Sequence, residues 1–237
     1  MRGLFIVGTD TDVGKTQVTA AIAHTLTQNG DSVRVSKPVA TGAVRYGSEL
    51  IAEDTRALAQ AVGAEQNPSV FRQITPWSFE PPVAPPVAAR LAGCPLTLSD
   101  IGNAVQKGGS ADFLLVEGVG GLLCPLTEHE TIADLACLLD LPLLVVARRS
   151  LGTLNHTLMT LEIAQARNLT LAGVVVSETE PTRRLAEKTN IEELNARIDV
   201  PIVAVLPWQE SKLKAFTPAR DAAFWRRLAN SPDEKVN

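Results

Sequence analysis

Residues 8–16 read "GTDTDVGKT", between the apolar run Leu4–Val7 and a stretch from Thr16 to Gln28 with helical spacing of its apolar residues. The segment closes in Gly14-Lys15-Thr16, as a phosphate-binding loop does. Its first glycine, Gly8, stands one place earlier than G-x-x-x-x-G-K-[ST] requires, and Thr9 holds the expected position. A strand before and a helix after is the setting such a loop needs. Successive backbone N–H groups and the helix N-terminus then surround a phosphate with partial positive charge. In this reading Gly14 lets the backbone approach closely, Lys15 reaches the β and γ oxygens, and Thr16 supplies a hydroxyl for Mg²⁺. Gly8 is read as ending the strand one residue early.

Working outward, short β-branched runs alternate with helical patterns along the whole chain. Strands are expected at Leu4–Val7, Val33–Ser36, Phe113–Val116, Leu143–Ala147, Ala172–Val176 and Ile202–Leu206. They read as continuous apolar runs rather than as alternating ones, so both sheet faces are expected to be covered by helices. Helices are expected at 16–28, 50–62, 98–106, 154–167, 182–197 and 219–228, with Asn29-Gly30 as the C-cap of the first. This order predicts an α/β fold: a single domain over 1–237, with a doubly wound, mainly parallel sheet flanked by helices and ligands at the carboxyl ends of its strands. About the last ten residues are expected to form a disordered tail. Residues 67–95 break the rhythm with seven prolines, Trp77 and Phe79 among them. The segment is too apolar for a flexible linker, and reads equally as an ordered surface excursion or as a pocket wall.

Composition narrows the function. A net charge of −4 argues against nucleic acid, and 4% aromatics leave little for base stacking. No run reaches the roughly 18 apolar residues of a membrane span, and the N-terminal apolar run is shorter than the roughly 7–15 residues of a secretory core. Cys94, Cys124 and Cys137 show no ligand or disulfide spacing. A cytoplasmic protein with reduced thiols is expected.

Three further residues bear on the loop. Glu117, at the end of "FLLVEG", is a natural Mg²⁺ partner if it reaches the loop, and otherwise a solvated strand end. Asp54 offers a second carboxylate, or simply a helix N-terminal charge stabilised by the dipole. Pro38 stops the second strand and sets Lys37 at its carboxyl end. There Lys37 is either a solvated rim charge or a second lysine facing transferred phosphoryl oxygens.

Taken together, "GTDTDVGKT", "KPVATG", "VEGVGG", "LGTLNH" and "LPW" resemble the dethiobiotin synthetases in order and spacing, from Leu4 to about Trp208. The resemblance implies an ATP- and Mg²⁺-dependent cyclo-ligase of biotin biosynthesis. Such enzymes add CO₂ to 7,8-diaminopelargonate, phosphorylate the carbamate, and close the ureido ring with release of ADP and phosphate. It implies nucleotide contacts from Asp12, Val13, Gly14, Lys15 and Thr16, from Asp54, from Glu117, Gly118, Val119 and Gly120, and from Ser177, Pro207 and Trp208. Thr16, Asp54 and Glu117 are the implied metal ligands, and Lys15 and Lys37 the implied catalytic cations. Thr11, Lys37 and Thr41 would bind the diamine, while Gly152, Thr153 and Asn155 would hold its carboxylate across a homodimer interface. The proline-rich segment corresponds to that family's diamine-pocket wall.

The chain departs from the family pattern at Ser177, where Asn is common, and at Ala84 and Pro86, where Ser and His are common. A serine reads a base edge less specifically than an amide, so other nucleoside triphosphates are admitted beside ATP. The alternative is a switch ATPase of the partitioning or division-site type, which shares the fold. Such proteins carry a lysine early in the loop, where Asp10 stands here. A binding protein that has lost catalysis would not be expected to keep Lys15, Lys37, Asp54 and Glu117 together.

Overall fold

All six expected strands pair in one sheet in the computed structural model, which describes residues 2–65, 67–180, 185–208 and 221–229. In chain order the elements begin with β1 (Arg2–Gly8), α1 (Lys15–Gln28), β2 (Val33–Ser36), β3 (Val39–Thr41), β4 (Val44–Tyr46) and β5 (Glu49–Ile51). Next come α2 (Glu53–Ala61), α3 (Pro68–Ile74), β6 (Trp77–Phe79), α4 (Pro85–Leu91), α5 (Leu98–Lys107) and β7 (Phe113–Gly121). The chain continues with α6 (Ile132–Leu139), β8 (Leu143–Arg148), α7 (Thr153–Ala166), β9 (Leu171–Ser177), α8 (Leu185–Asn195), β10 (Ile202–Leu206) and α9 (Ala222–Leu228).

The central sheet runs β10-β9-β8-β1-β7-β2, and every pairing in it is parallel. The order reverses at β1, where β7 lies on one side and β8 on the other, so the crevice of a doubly wound sheet opens directly above the loop that follows β1. Residues alternating along β1 divide between two buried layers. Leu4 and Ile6 pack with Val18, Ile22 and Leu26 of α1, while Phe5 and Val7 pack with Ile132 and Leu135 of α6. Burial on both faces explains why the strands carry unbroken apolar runs.

Several expectations needed correction. Residues 49–51 are a strand, not the first turn of a helix: with Val44–Tyr46 they form a hairpin around Gly47-Ser48, with Gly47 at φ +61°. Leu50 and Ile51 carried apolar spacing that is shared by both kinds of element. The proline-rich stretch is ordered, as expected: Pro68 and Pro85 start short helices where a missing N–H costs nothing, and Trp77–Phe79 pairs in parallel with Val39–Thr41. Helix α6 had no counterpart in the sequence reading. Its apolar residues run nearly all round, leaving little polar face to give a period. Strand β7 continues to Gly121, so Glu117 lies inside it, level with Ile6 of β1. The expected tail, the first residues of helix 182–197 and those of helix 219–228 lie wholly or partly outside the described residues.

Candidate functional site

The loop after β1 begins with a glycine that has to be one. A Cβ on Gly8 would lie 2.5 Å from the Asp10 carbonyl, 2.8 Å from Val13 and 2.9 Å from the Lys15 ammonium. The strand therefore runs through Gly8, and the loop folds back over it. Asp12 at φ +56° and Gly14 at φ +93° alternate with ordinary backbone, which turns successive N–H groups toward one concave side. Val13 is 1% exposed and anchors the loop in the core, so only its backbone faces a ligand. Lys15 is buried and its Nζ donates to the Asp10 carbonyl at 2.8 Å. Burial pushes its pKa down, against the opposing pull of Glu117.

Glu117 joins three elements. Its Oε1 accepts from the Thr16 hydroxyl at 2.7 Å and from Lys37 Nζ at 2.9 Å. Lys37 also donates to Asp54 in the first turn of α2. The solvated-rim alternative for Lys37 is therefore excluded: it is 5% exposed and pinned between two carboxylates. Burial alone would lower its pKa, but Glu117 and Asp54 outweigh that and raise it above the ordinary lysine value. Burial alone would raise the Asp54 pKa, whereas Lys37, helped by hydrogen bonds from Lys37 and Thr16, holds it below the usual carboxylate range. Glu117 is 0% exposed, and its Oε2 has no partner among the described residues. A buried carboxylate oxygen without a partner is costly unless something fills the place. With the adjacent Thr16 hydroxyl and Asp54, it makes a hard oxygen donor set that suits Mg²⁺.

Lys15, Thr16, Lys37 and Asp54 open into a cleft of about 860 Å³, with Glu117 buried beneath them. Thr11, Asp12, Gly14, Lys15, Thr16, Lys37, Thr41, Asp54, Val119 and Gly120 all line it, so most of the residues named from sequence converge here. Others lie elsewhere. A Cβ on Gly118 would meet Ile132 at 2.9 Å, so Gly118 faces α6. The Ser177 side chain is fully buried behind Gly14, outside the cleft lining. Pro207 and Trp208 are half-buried beyond β10, and Gly152, Thr153 and Asn155 start α7. None of these five lines the cleft. Beside Gly152, Leu151 is 87% exposed.

Sequence reasoning missed two groups. Gln17 and His24 of α1, with Glu53 and Gln60 of α2, extend the cleft between those helices. Each pair is seven residues apart and thus on one helix face, but which helices meet was not written in that spacing. Second, Glu178 pairs with Arg149 and accepts from the Trp208 N–H at 3.2 Å, while Arg149 Nε donates to the Glu187 carbonyl at 2.7 Å. One ion pair thus ties the loops after β8, β9 and β10.

The parallel sheet, the loop and the lysine–carboxylate cluster define a P-loop nucleotide-binding protein, and residues 2–215 match a family model described as an AAA domain. Solved structures agree on the fold. The MinC:MinD cell division complex of Aquifex aeolicus aligns at TM-score 0.53 and 15% identity, covering 96% of this chain and 86% of that one. Cell division ATPase MinD of Pyrococcus furiosus aligns at 0.52 and 16%, covering 97% of each. Much closer in sequence are proteins named ATP-dependent dethiobiotin synthetase BioD. That of Bacillus thuringiensis (strain Al Hakam) is 40% identical over 90% of this chain and 86% of its own length. That of Anaeromyxobacter sp. (strain K) is 40% identical over 88% and 91%. The chain belongs to the dethiobiotin synthetase family.

Proposed function

We infer that this chain is an ATP-dependent ligase that converts 7,8-diaminopelargonate and CO₂ to dethiobiotin. The observation that carries the reading is the junction at Glu117, which links the P-loop hydroxyl of Thr16 to a second, buried lysine. A phosphate-binding loop alone serves any nucleotide hydrolase. A second buried cation facing the same cleft suits transfer of a phosphoryl group to an anionic acceptor, where negative charge accumulates on both partners.

In this reading the N–H groups of residues 12–16 and Lys15 hold the triphosphate. Thr16, Asp54 and Glu117 would hold Mg²⁺, which, when bound, neutralises charge on the phosphate oxygens. The diamine lies toward Thr11, Lys37 and Thr41. One amine adds to CO₂ and loses a proton to give the carbamate. A carbamate oxygen takes the γ-phosphoryl group and ADP leaves. The second amine then attacks the carbonyl carbon, loses a proton and expels phosphate, closing the ring. Lys37 stabilises the carbamate and the transferred group, and Arg in its place would serve poorly because a planar fork replaces a compact charge. The low-identity MinD likeness fixes the fold alone, and Asp10 stands where a switch ATPase carries its signature lysine.

The exposed Leu151 beside Gly152 supports a homodimer in which that loop reaches the partner's diamine carboxylate. No helix among the described residues is long and apolar enough to cross a membrane. The test is to incubate the protein with diamine, bicarbonate, Mg²⁺ and each of several nucleoside triphosphates, measuring dethiobiotin by mass spectrometry and phosphate release. Dethiobiotin and phosphate in equal amounts support the reading. Hydrolysis indifferent to the diamine, with no dethiobiotin, would return the chain to the switch-ATPase alternative.

A further inference from the structure

We propose that Lys37 holds the place of the divalent cation: before nucleotide binds, its ammonium engages the carboxylates of Asp54 and Glu117 and keeps free metal out. The metal then enters only with the triphosphate, and its arrival releases Lys37 toward the reacting group. The proposal rests on Thr16, Asp54 and Glu117 being the metal-side residues.

Three observations carry it. First, Lys37 Nζ contacts both carboxylates at once, Glu117 Oε1 at 2.9 Å and Asp54 Oδ2. An ammonium with three N–H groups thereby spends two on groups assigned to the metal. Second, the two lysines differ. Lys15 carries the same charge in the same cleft, yet its Nζ donates to the Asp10 carbonyl. The cation placed between the carboxylates is thus a specific one. Third, the hand-over has somewhere to go. Glu117 Oε2 has no partner among the described residues, and the Asp54 side chain is 41% exposed, so one ligand is ready and the other can turn. With its two carboxylates already countered, the site offers little to a free divalent ion, which would shed tightly held water to enter. A triphosphate changes that balance, because it adds several negative charges and carries the metal with it.

The experiment follows Mn²⁺ by the EPR signal of the free ion. Nucleotide-free parent, Lys37→Gln and Lys15→Gln are titrated, then each is titrated again with a non-hydrolysable ATP analogue. The parent without nucleotide is expected to bind Mn²⁺ no better than millimolar. Lys37→Gln is expected to bind at least tenfold tighter, and Lys15→Gln, which removes the same charge from the same cleft, to gain clearly less than Lys37→Gln. Equal affinities for parent and Lys37→Gln would overturn the proposal. So would an equal gain in Lys15→Gln, since bulk charge would then explain everything. If Mn²⁺ binds none of them even with the analogue, the metal reading falls and takes this one with it. If it binds with the analogue but Lys37→Gln changes nothing, this proposal alone falls. A measurement on the parent guards against a variant that fails to fold. Nucleotide-free crystals soaked in Mn²⁺ are expected to show no anomalous peak between Asp54 and Glu117, and a peak there would overturn the proposal.

Discussion

The Ser177 hydroxyl occupies the space that a side chain on Gly14 would need: a Cβ built on Gly14 would lie 2.3 Å from Ser177 Oγ. Gly14 is therefore fixed twice, by φ +93° and by the end of β9 pressing on it from behind. Gly14→Ala is expected to strain the backbone by roughly 1–2 kcal/mol and to push the loop off Ser177, weakening nucleotide binding at least tenfold. Ser177→Gly is expected to recover part of that loss in the double variant, because it removes the collision and leaves the backbone strain. Isothermal titration of the four proteins with nucleotide measures the coupling, and strictly additive losses would show that the contact carries nothing.

Ser177→Ala alone separates packing from base reading. Its hydroxyl is buried without a partner among the described residues, so its removal is expected to leave stability and the order of nucleotide preference unchanged. A changed ranking of ATP, GTP and CTP in the ring-closure assay would make Ser177 a base contact after all.

Glu178 supports the site without lining it. Glu178→Gln keeps the shape but loses the charge that pairs with Arg149 and receives the Trp208 N–H. The loops after β8, β9 and β10 should loosen together. Nucleotide KM is expected to rise about five- to tenfold with kcat within twofold, the pattern of an interaction felt equally in ground and transition states. A fall in kcat at unchanged KM would place Glu178 nearer the chemistry.

The proposed dimer is tested by Leu151→Asp, which puts a charge in place of an apolar side chain that is 87% exposed. The variant is expected to sediment as a monomer and to lose ring closure while still binding nucleotide, since Lys15 and its loop are distant in the chain and intact. Full activity from a monomer in the ultracentrifuge would remove the shared-site arrangement.

Asp134 gives a stability change decoupled from catalysis. Its carboxylate accepts from the Thr131 N–H and hydroxyl and from Arg167, each at 2.7 Å, tying down the start of α6. Asp134→Ala is expected to cost about 1 kcal/mol. Burial alone would raise the Asp134 pKa, but the Thr131 and Arg167 hydrogen bonds hold it below its ordinary 3.8. A depressed carboxylate stabilises the fold above its unfolded value and loses that contribution as pH falls through the folded one. The urea-unfolding deficit of the variant should thus be equal at pH 7 and 5 and narrow below 3.8. A deficit that persists unchanged there would mean the carboxylate's charge is not what stabilises the helix.

The sequence by itself determined the six sheet strands, the loop of residues 8–16 with its helix, and the kinds of residue waiting at the strand ends. These are short-range matters. An apolar run buried on both faces, a positive-φ glycine and a helix N-terminus are each written within a few neighbouring residues. Only the tertiary structure decided what those residues do to one another. Asp54 reaches Lys37 because a hairpin over 44–51 delays α2, and β2 beside β7 sets Lys37 against Glu117. Gly14 meets Ser177 from 163 positions away in the chain for the same kind of reason. Lys37 reads locally as a rim lysine, since nothing within several residues of it announces two carboxylates. Its burial and its hold on Asp54 and Glu117 come from the order in which parallel strands pack, which is a property of the whole core.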